Sequence, residues 1–302
     1  MAHGAEHFRQ EAVYLLLTWL RQRRPEASGH CFLVATDRPA SFTAVLGERS
    51  DIRYLPLDAD TLLHWQGGPG GYVHRIKPQL IAHAAGVVGA GPADTFTFLD
   101  SDTAFLADPA PLFETVAAGR PVLHLCEGTI EGSRRLTRSH GRLHRMAQHS
   151  LFDVGGRAGQ PLGLDLPLWN SGVIGLRGHE VAPVMAETLA LTDQIRARLS
   201  LATAEQVALS AVLRARGRPV EAAAGWLLHY HGFKEFRADI AGFLAHHAAA
   251  DTAPDWVALS TQIDPQVRMA PKTVFMRLPK WQRQLRKHLG HGWRRLPYPW
   301  EA

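Results

Sequence analysis

Cysteine is scarce: the 302 residues hold two, Cys31 and Cys126, each inside an apolar run. That excludes a disulfide-stapled scaffold and a cysteine-built metal centre, and it reads as two buried, reduced thiols in a cytoplasmic protein. Charge is thin as well, at 20% of residues against 46% hydrophobic, which excludes a disordered chain and supports a packed core. Long apolar runs are missing. The most apolar stretch, 13–20, lies between Glu11 and Arg21 and follows Glu6 and Arg9. It falls far short of the roughly 20 apolar residues of a membrane-spanning helix, and its charged approach is unlike a cleaved signal peptide. Glycines cluster at 67–71, yet no Gly-Lys-Ser or Gly-Lys-Thr follows, so there is no P-loop. Nor is the body of the chain basic. From Pro271 onward eight Lys and Arg face one acid, Glu301, so the tail carries +7 of a net +5 and the rest of the chain is at −2. That balance speaks against a nucleic-acid-binding core.

What is present is an alternation of helical and extended patterns. Residues 8–23 space apolar side chains as a helix does and stop before Pro25. The segment HCFLVATD reads as a strand closed by the Asp37-Arg38-Pro39 turn. A short strand is expected over 52–57 and a helix over 72–85. Buried strands are expected at 95–100, 121–125 and 171–176, followed by helices at 180–199 and 204–216. This order predicts an α/β fold with a mostly parallel central sheet flanked by helices. Sheets of that kind place their chemistry beyond the carboxyl ends of the strands. The opening is unusual, because the chain begins almost directly with a helix. Residues 1–4 read as the stump of a first strand whose start lies upstream, or the fold dispenses with that strand.

The strongest chemical signal is FTFLDSDTAF at 96–105, where an apolar strand delivers Asp100, Ser101 and Asp102 into a turn. In extended chain, residues two apart point the same way, so both carboxylates can face one cation. Mn²⁺ or Mg²⁺, which favour oxygen ligands and diphosphates, suit such a pair; a polar turn at a strand end is the plainer alternative. A haloacid-dehalogenase-like phosphohydrolase using Asp100 as nucleophile would want Thr or Val at 104, where this chain has Ala104. The second signal is WLLHYHGFK at 226–234, with His229 and His231 two apart, then Gly232 and Lys234. Imidazole can complete Mn²⁺ coordination and lysine can hold a phosphate. In LWNSGVIGL, Asn170 and Ser171 precede a strand, and in TAEQVALSAVL Thr203 reads as an N-cap with Glu205 and Gln206 in the first helical turn. Glu205 there has a plain reading as a residue favourable to the helix dipole. Arg75 and Lys77 in GYVHRIKPQL are candidates for phosphate contacts, and the glycines before them for a mobile lid.

The order of these motifs, D-x-D, N-S-G-V, E-Q and H-Y-x-G with a lysine, resembles glycosyltransferase family 8, over about 31–234. The resemblance implies the GT-A fold, a UDP-sugar donor, Mn²⁺, transfer with retention, and a glycan or lipid-linked acceptor. It implies that Asp100, Asp102 and His229 hold the metal, with His231 a substitute for His229. It further implies that Arg75, Asp100, Gly232 and Lys234 bind the donor, beside the candidates Lys77 and Ser101, and that Asn170 and Gln206 contact the sugar, with Gln206 near the reacting face. Lys234 stands two residues after Gly232 rather than the family's three and precedes Glu-Phe, and Glu205 replaces a common Asp, so the particular sugar and acceptor are not inherited. A non-catalytic GT-A binding domain is a further alternative.

The tail mixes Lys and Arg with Trp281, Trp293, Tyr298 and Trp300, a pattern that anionic membrane surfaces favour and that a docked terminal helix also explains. The expected division is a transferase domain over 1–250 and a basic helical extension over 251–302. A peripheral place at the cytoplasmic membrane face and a part in cell-envelope polysaccharide synthesis complete the expectation.

Overall fold

The computed structural model describes residues 1–24, 29–68, 70–249 and 255–301. The first helix, α1 (Glu6–Gln22), is buried at 13–17 and at Trp19, which is more than a single stripe. A helix buried on several sides lies between other layers rather than on a surface. Strands β1 (Phe32–Thr36) and β2 (Ile52–Pro56) then pair in parallel. Helix α2 (Ile76–Val88) follows a short 3₁₀ turn and ends where Gly89 takes φ 65°, a left-handed conformation open to glycine at little cost.

The chain continues with β3 (Thr95–Leu99), β4 (Thr103–Phe105), β5 (Val122–Leu123), β6 (Val173–Arg177), α3 (Gly178–Arg198), α4 (Ala204–Ala215), β7 (Glu221–Ala222) and β8 (Leu227–His229). The four-stranded sheet runs β7-β5-β6-β3. β5 and β7 are parallel, and β6 is antiparallel to both β5 and β3. Strands β3, β5 and β7 therefore share one direction, as expected, and β6 is the reversed one. That reversal matters, because Val173 pairs with Leu99 and so sets the Asn170-Ser171-Gly172 turn beside the end of β3. β4 and β8 form a separate antiparallel ribbon with His229 opposite Thr103.

Helices cover the sheet in two layers. One core gathers Ile81, Leu176, Val181, Leu191 and Leu213 under α2, α3 and α4, and the other gathers Leu16, Trp19, Phe105 and Val122 under α1. Each such side chain contributes roughly 1.5–3 kcal/mol by leaving water. Thr18 is fully buried in α1, where its hydroxyl donates to the Leu15 carbonyl at 2.7 Å and accepts the Phe105 N–H at 3.0 Å, tying β4 to the helix.

The C-terminal part comprises α5 (Phe236–Ala248), α6 (Pro265–Met276) and α7 (Lys280–His288). The boundary expected at 250/251 falls outside the described residues. Much of this region docks on the main core: Ile263 is fully buried beside α1 and accepts the Tyr14 hydroxyl at 2.9 Å. Trp293 packs on Phe233 and Trp300 stacks on His246. Helix α7 has no fully buried residue, and Trp281 on it is 64% exposed.

Two expectations are corrected. Cys31 and Cys126 are free but exposed, since Cys31 precedes the first residue of β1 and Cys126 sits in a two-stranded ribbon with Trp169. Thr203 occupies the N-cap of α4 without capping it, because its hydroxyl makes no bond to the helix. No helix among the described residues is long and apolar enough to cross a membrane.

Candidate active site

β3 ends at Leu99 and the chain turns at once. The Asp100 N–H donates to the Gly172 carbonyl at 2.9 Å, and the Thr103 hydroxyl donates to the Asp100 carbonyl at 2.7 Å, closing the Asp-Ser-Asp turn. The β4–β8 ribbon brings His229 alongside, held further by the Tyr230 N–H on the Asp102 carbonyl at 3.0 Å. Side-chain ligand atoms of Asp100, Asp102 and His229 lie within 4.8 Å of one another. They sit on a cavity of about 740 Å³, a size usual for small-molecule sites.

Protons on His229 can be assigned from its partners. Asn170 Oδ1 accepts the Gly172 N–H at 3.0 Å, which fixes that atom as the oxygen. His229 Nδ1, 2.8 Å from the same oxygen, must then be the donor. Nε2 is left facing Asp102 Oδ1 at 3.1 Å, a contact that requires a proton or a metal cation between them. Asn170 thus orients the imidazole as outer-sphere partners of metal-bound histidines do. Gly172 makes the approach possible: a Cβ there would lie 2.2 Å from His229 Nδ1.

Two lysines balance the acids. Lys77, from the first turn of α2, reaches Asp100 Oδ2 at 2.8 Å and the carbonyl and hydroxyl of Ser171 at 3.1 Å. Burial works against its charge, but Asp100 and Glu205 outweigh that and hold its pKa above the ordinary value. Lys234 meets Asp102 Oδ2 at 2.5 Å and stays half exposed. Burial favours protonation of Asp102, yet His229 and Lys234 more than offset it and keep the carboxyl well below the usual range. The neighbouring His124 is pushed down to about 4 by burial and then by His229; its Nε2 accepts the His229 N–H at 3.2 Å.

Helix α4 supplies the opposite wall. Gln206 Oε1 accepts the Ser171 N–H at 3.1 Å, and the buried Glu205 accepts the Ser171 hydroxyl at 2.7 Å and the Tyr72 hydroxyl at 3.2 Å. Glu127 closes the rim and accepts from Asn170 Nδ2 at 3.0 Å. The cavity is therefore floored by carboxylates and an imidazole, walled by two ammonium groups, and rimmed by amide and carboxylate groups able to bond hydroxyls.

No family model matches the sequence, and no curated protein matches it. Solved structures do match. They include the apo form of the bifunctional glycosyltransferase WbbM, at 14% identity and TM-score 0.48, over 73% of this chain and 37% of that one. They also include the apo form of mouse xyloside xylosyltransferase 1, at 17% identity and TM-score 0.46, over 78% of this chain and 90% of that one. Both scores lie below 0.5, so the case for a function rests on the site itself.

Most residues anticipated from the sequence line the cavity: Lys77, Asp100, Ser101, Asp102, Asn170, Gln206, His229, His231 and Lys234. His231 lines it but stands outside the Asp100–Asp102–His229 group; its ring lies 4.7 Å from that of His229. Arg75 is directed elsewhere. Its guanidinium pairs with Asp193 at 2.9 and 3.0 Å and bonds the Trp65 carbonyl, so it fastens α3 to the loop before α2. Gly232 does not line the cavity; its carbonyl accepts from Lys272 at 3.0 Å. Sequence reasoning did not single out Glu127, Tyr72 or His124. A histidine inside the apolar segment PVLHL was the one available signal for His124.

Proposed function

We propose that the chain is a metal-dependent glycosyltransferase that takes a sugar from a nucleoside-diphosphate donor, a UDP-sugar, and passes it to a saccharide or glycolipid acceptor. One observation carries this reading. Asp100, Asp102 and His229 converge within 4.8 Å on a cavity that also presents Lys77 and Lys234. Carboxylate oxygens and imidazole suit Mn²⁺ or Mg²⁺, and the Nε2–Asp102 contact is one that a proton or a metal ion satisfies. A bound ion would neutralise charge developing on a diphosphate leaving group.

The chain's own residues divide the remaining work. Lys77, buried and held by Asp100, Ser171 and Glu205, supplies a fixed positive charge beside the phosphates. Lys234, on a half-exposed side chain, would be released to hold the diphosphate if Asp102 held an ion. Asn170 holds His229 in register, and Gln206, Glu205 and Glu127 offer groups to sugar hydroxyls. The family resemblance favours a hexosyl group transferred with retention, and Glu205 and Glu127 are the carboxylates that line the cavity beyond the metal pair.

The surface of α7 supports attachment to an anionic membrane. Trp281, Leu285 and Leu289 recur every fourth residue, are 64%, 51% and 57% exposed, and are interleaved with Lys280, Arg283, Arg286 and Lys287.

The test is turnover. Purified protein is offered a panel of nucleoside-diphosphate sugars with Mn²⁺, and release of nucleoside diphosphate is followed with and without candidate saccharide acceptors. Release from one donor, abolished by chelation and by Asp102→Ala, supports the reading. Release of inorganic phosphate from simple phosphomonoesters by a route that needs Asp100 would replace it with the phosphohydrolase.

A further inference from the structure

Residues 134–149 hold five arginines and no Asp or Glu. The chain before Pro271, at −2 overall, therefore concentrates +5 in one short segment. Most of it is the helix Arg138–His149, capped by Thr137, whose hydroxyl accepts the His140 N–H at 3.3 Å. Leu143, Met146 and Ala147 bury one face in the core that also holds Ile130 and Leu166. Arg138, Arg142 and Arg145 recur at i, i+4 and i+7, so they form a stripe on another face, about 10 Å long. They are exposed, as are Arg134 and Arg135 just before the helix. Glu131 takes Arg134 at 2.9 Å and His144 at 2.6 Å. Arg135, Arg138, Arg142 and Arg145 make no ion pair and no side-chain hydrogen bond among the described residues.

Nothing in the local structure favours this row. Like charges at i, i+4 destabilise a helix, and Arg138 stands in the first turn, where the helix dipole disfavours a cation. A bound anion would offset both. The row also leads away from the candidate active site. Glu127, on the cavity rim, lies in the strand Cys126–Thr129, which pairs with Pro167–Trp169 just before Asn170. Thr129 then caps one helical turn, Ile130–Ser133, where the Ile130 N–H donates to the Leu166 carbonyl at 3.2 Å. Arg134 follows at once and lies within about 25 Å of Glu127, the longest span its seven-residue separation allows.

We propose that this face docks an anionic saccharide chain, one that carries carboxylate or phosphate groups, and that the docked chain is the acceptor. Guanidinium forks match the paired oxygens of carboxylate and phosphate. A row this long meets more than one such group at a time, which selects an oligomer over a single sugar. A bilayer fits less well. Within 134–149 only Leu136 among the large apolar side chains is exposed, whereas α7 interleaves its basic residues with Trp281, Leu285 and Leu289. A single-stranded nucleic acid fits less well too, because the segment has no Phe, Tyr or Trp for bases to stack on. The docking stands on the arginine face alone; that the docked chain is the acceptor rests on the transferase reading.

Calorimetric titration at low ionic strength tests this, with oligogalacturonate, phosphorylated dextran and plain dextran of matched length. Neither metal nor nucleotide sugar is present. Arg135, Arg138, Arg142 and Arg145 are replaced together by glutamine, and a control replaces Lys280, Arg283, Arg286 and Lys287 of α7 in the same way, so both variants lose four positive charges. The charged oligosaccharides are expected to bind and plain dextran not to. The first variant should bind them about tenfold or more weakly, and the control within about twofold of the unaltered chain. The single variants Arg138→Gln and Arg142→Gln should each weaken binding about two- to threefold, and they carry the test if the fourfold variant does not fold. The proposal is overturned if plain dextran binds as tightly, if neither charged oligosaccharide binds, or if the two fourfold variants weaken binding alike, since net charge would then be the cause. It is equally overturned if the first variant loses binding to phosphatidylglycerol vesicles while its oligosaccharide binding is unchanged. Such a failure leaves the transferase reading standing on its own turnover test.

Discussion

Gly172→Ala probes how the site is held together. A Cβ at this position would lie 2.2 Å from His229 Nδ1, where ordinary contact begins at 3.4 Å, so the ring must retreat by about 1.2 Å. A shift of that size tilts the ring away from Asn170 at 2.8 Å and Asp102 at 3.1 Å and spoils the direction of both bonds. Losing one neutral and one charged hydrogen bond costs about 3 kcal/mol of stability. Metal ligation tolerates about 0.2 Å, so Mn²⁺ affinity should fall about 10–100-fold. Urea unfolding and calorimetric Mn²⁺ titration read the two effects. The variant His229→Ala removes the ring, and in that background Gly172→Ala should cost almost nothing, a coupling of about 2–3 kcal/mol. Normal Mn²⁺ binding by Gly172→Ala, or a full stability loss that persists without the imidazole, would refute the reasoning.

Other perturbations have defined signs. His124 is held down to about 4 by burial, so it stays neutral in the folded protein while the unfolded chain takes up a proton below about 6.5. Stability should therefore fall as pH drops from about 6.5 to 4, by about 2 kcal/mol after screening, and His124→Gln should remove that part of the slope in urea titrations at pH 7 and 4.5. Lys234→Met deletes the cation on Asp102, so Mn²⁺ alone should bind up to about fivefold more tightly while affinity for nucleoside diphosphate falls. Asp239 is fully buried between Arg268 at 2.5 Å and Arg295 at 3.0 Å. Asp239→Ala leaves Arg268 buried without its carboxylate and should cost about 3 kcal/mol or more in urea unfolding. Replacing Trp281, Leu285 and Leu289 together with serine should abolish binding to anionic vesicles without changing the unfolding midpoint, since all three side chains are more than half exposed; unchanged vesicle binding would remove the membrane contact from the account.

Local pattern carried much of this structure. The helices at 6–22, 178–198 and 204–215 and the strands around 32–36 and 95–99 stand within a few residues of where apolar periodicity and turn residues put them. Asp100 and Asp102 were legible because a strand ending in two alternating carboxylates is itself a chemical statement. What periodicity cannot express is which strand lies beside which. The reversal of β6 decides that Asn170 orients His229 and that Gly172 lets the ring approach, and no window of sequence contains both partners. The pairing of Arg75 was hidden for the same reason, because Asp193, which binds it, lies on another helix. Glu205 looked like a helix-dipole residue because its position in the first turn explains it without any partner, yet it is buried on Ser171 and near Lys77. Glu127 and Tyr72 gave no signal, since neither residue type nor spacing marks a carboxylate or phenol that faces a cavity.

The most direct test of the central claim is calorimetric titration of UDP into the purified protein, with and without Mn²⁺, beside Asp102→Ala. Binding that requires both the ion and Asp102 is the predicted result. A well-folded protein that binds no UDP, or that binds it equally without Mn²⁺ and without the Asp102 carboxylate, would contradict the account.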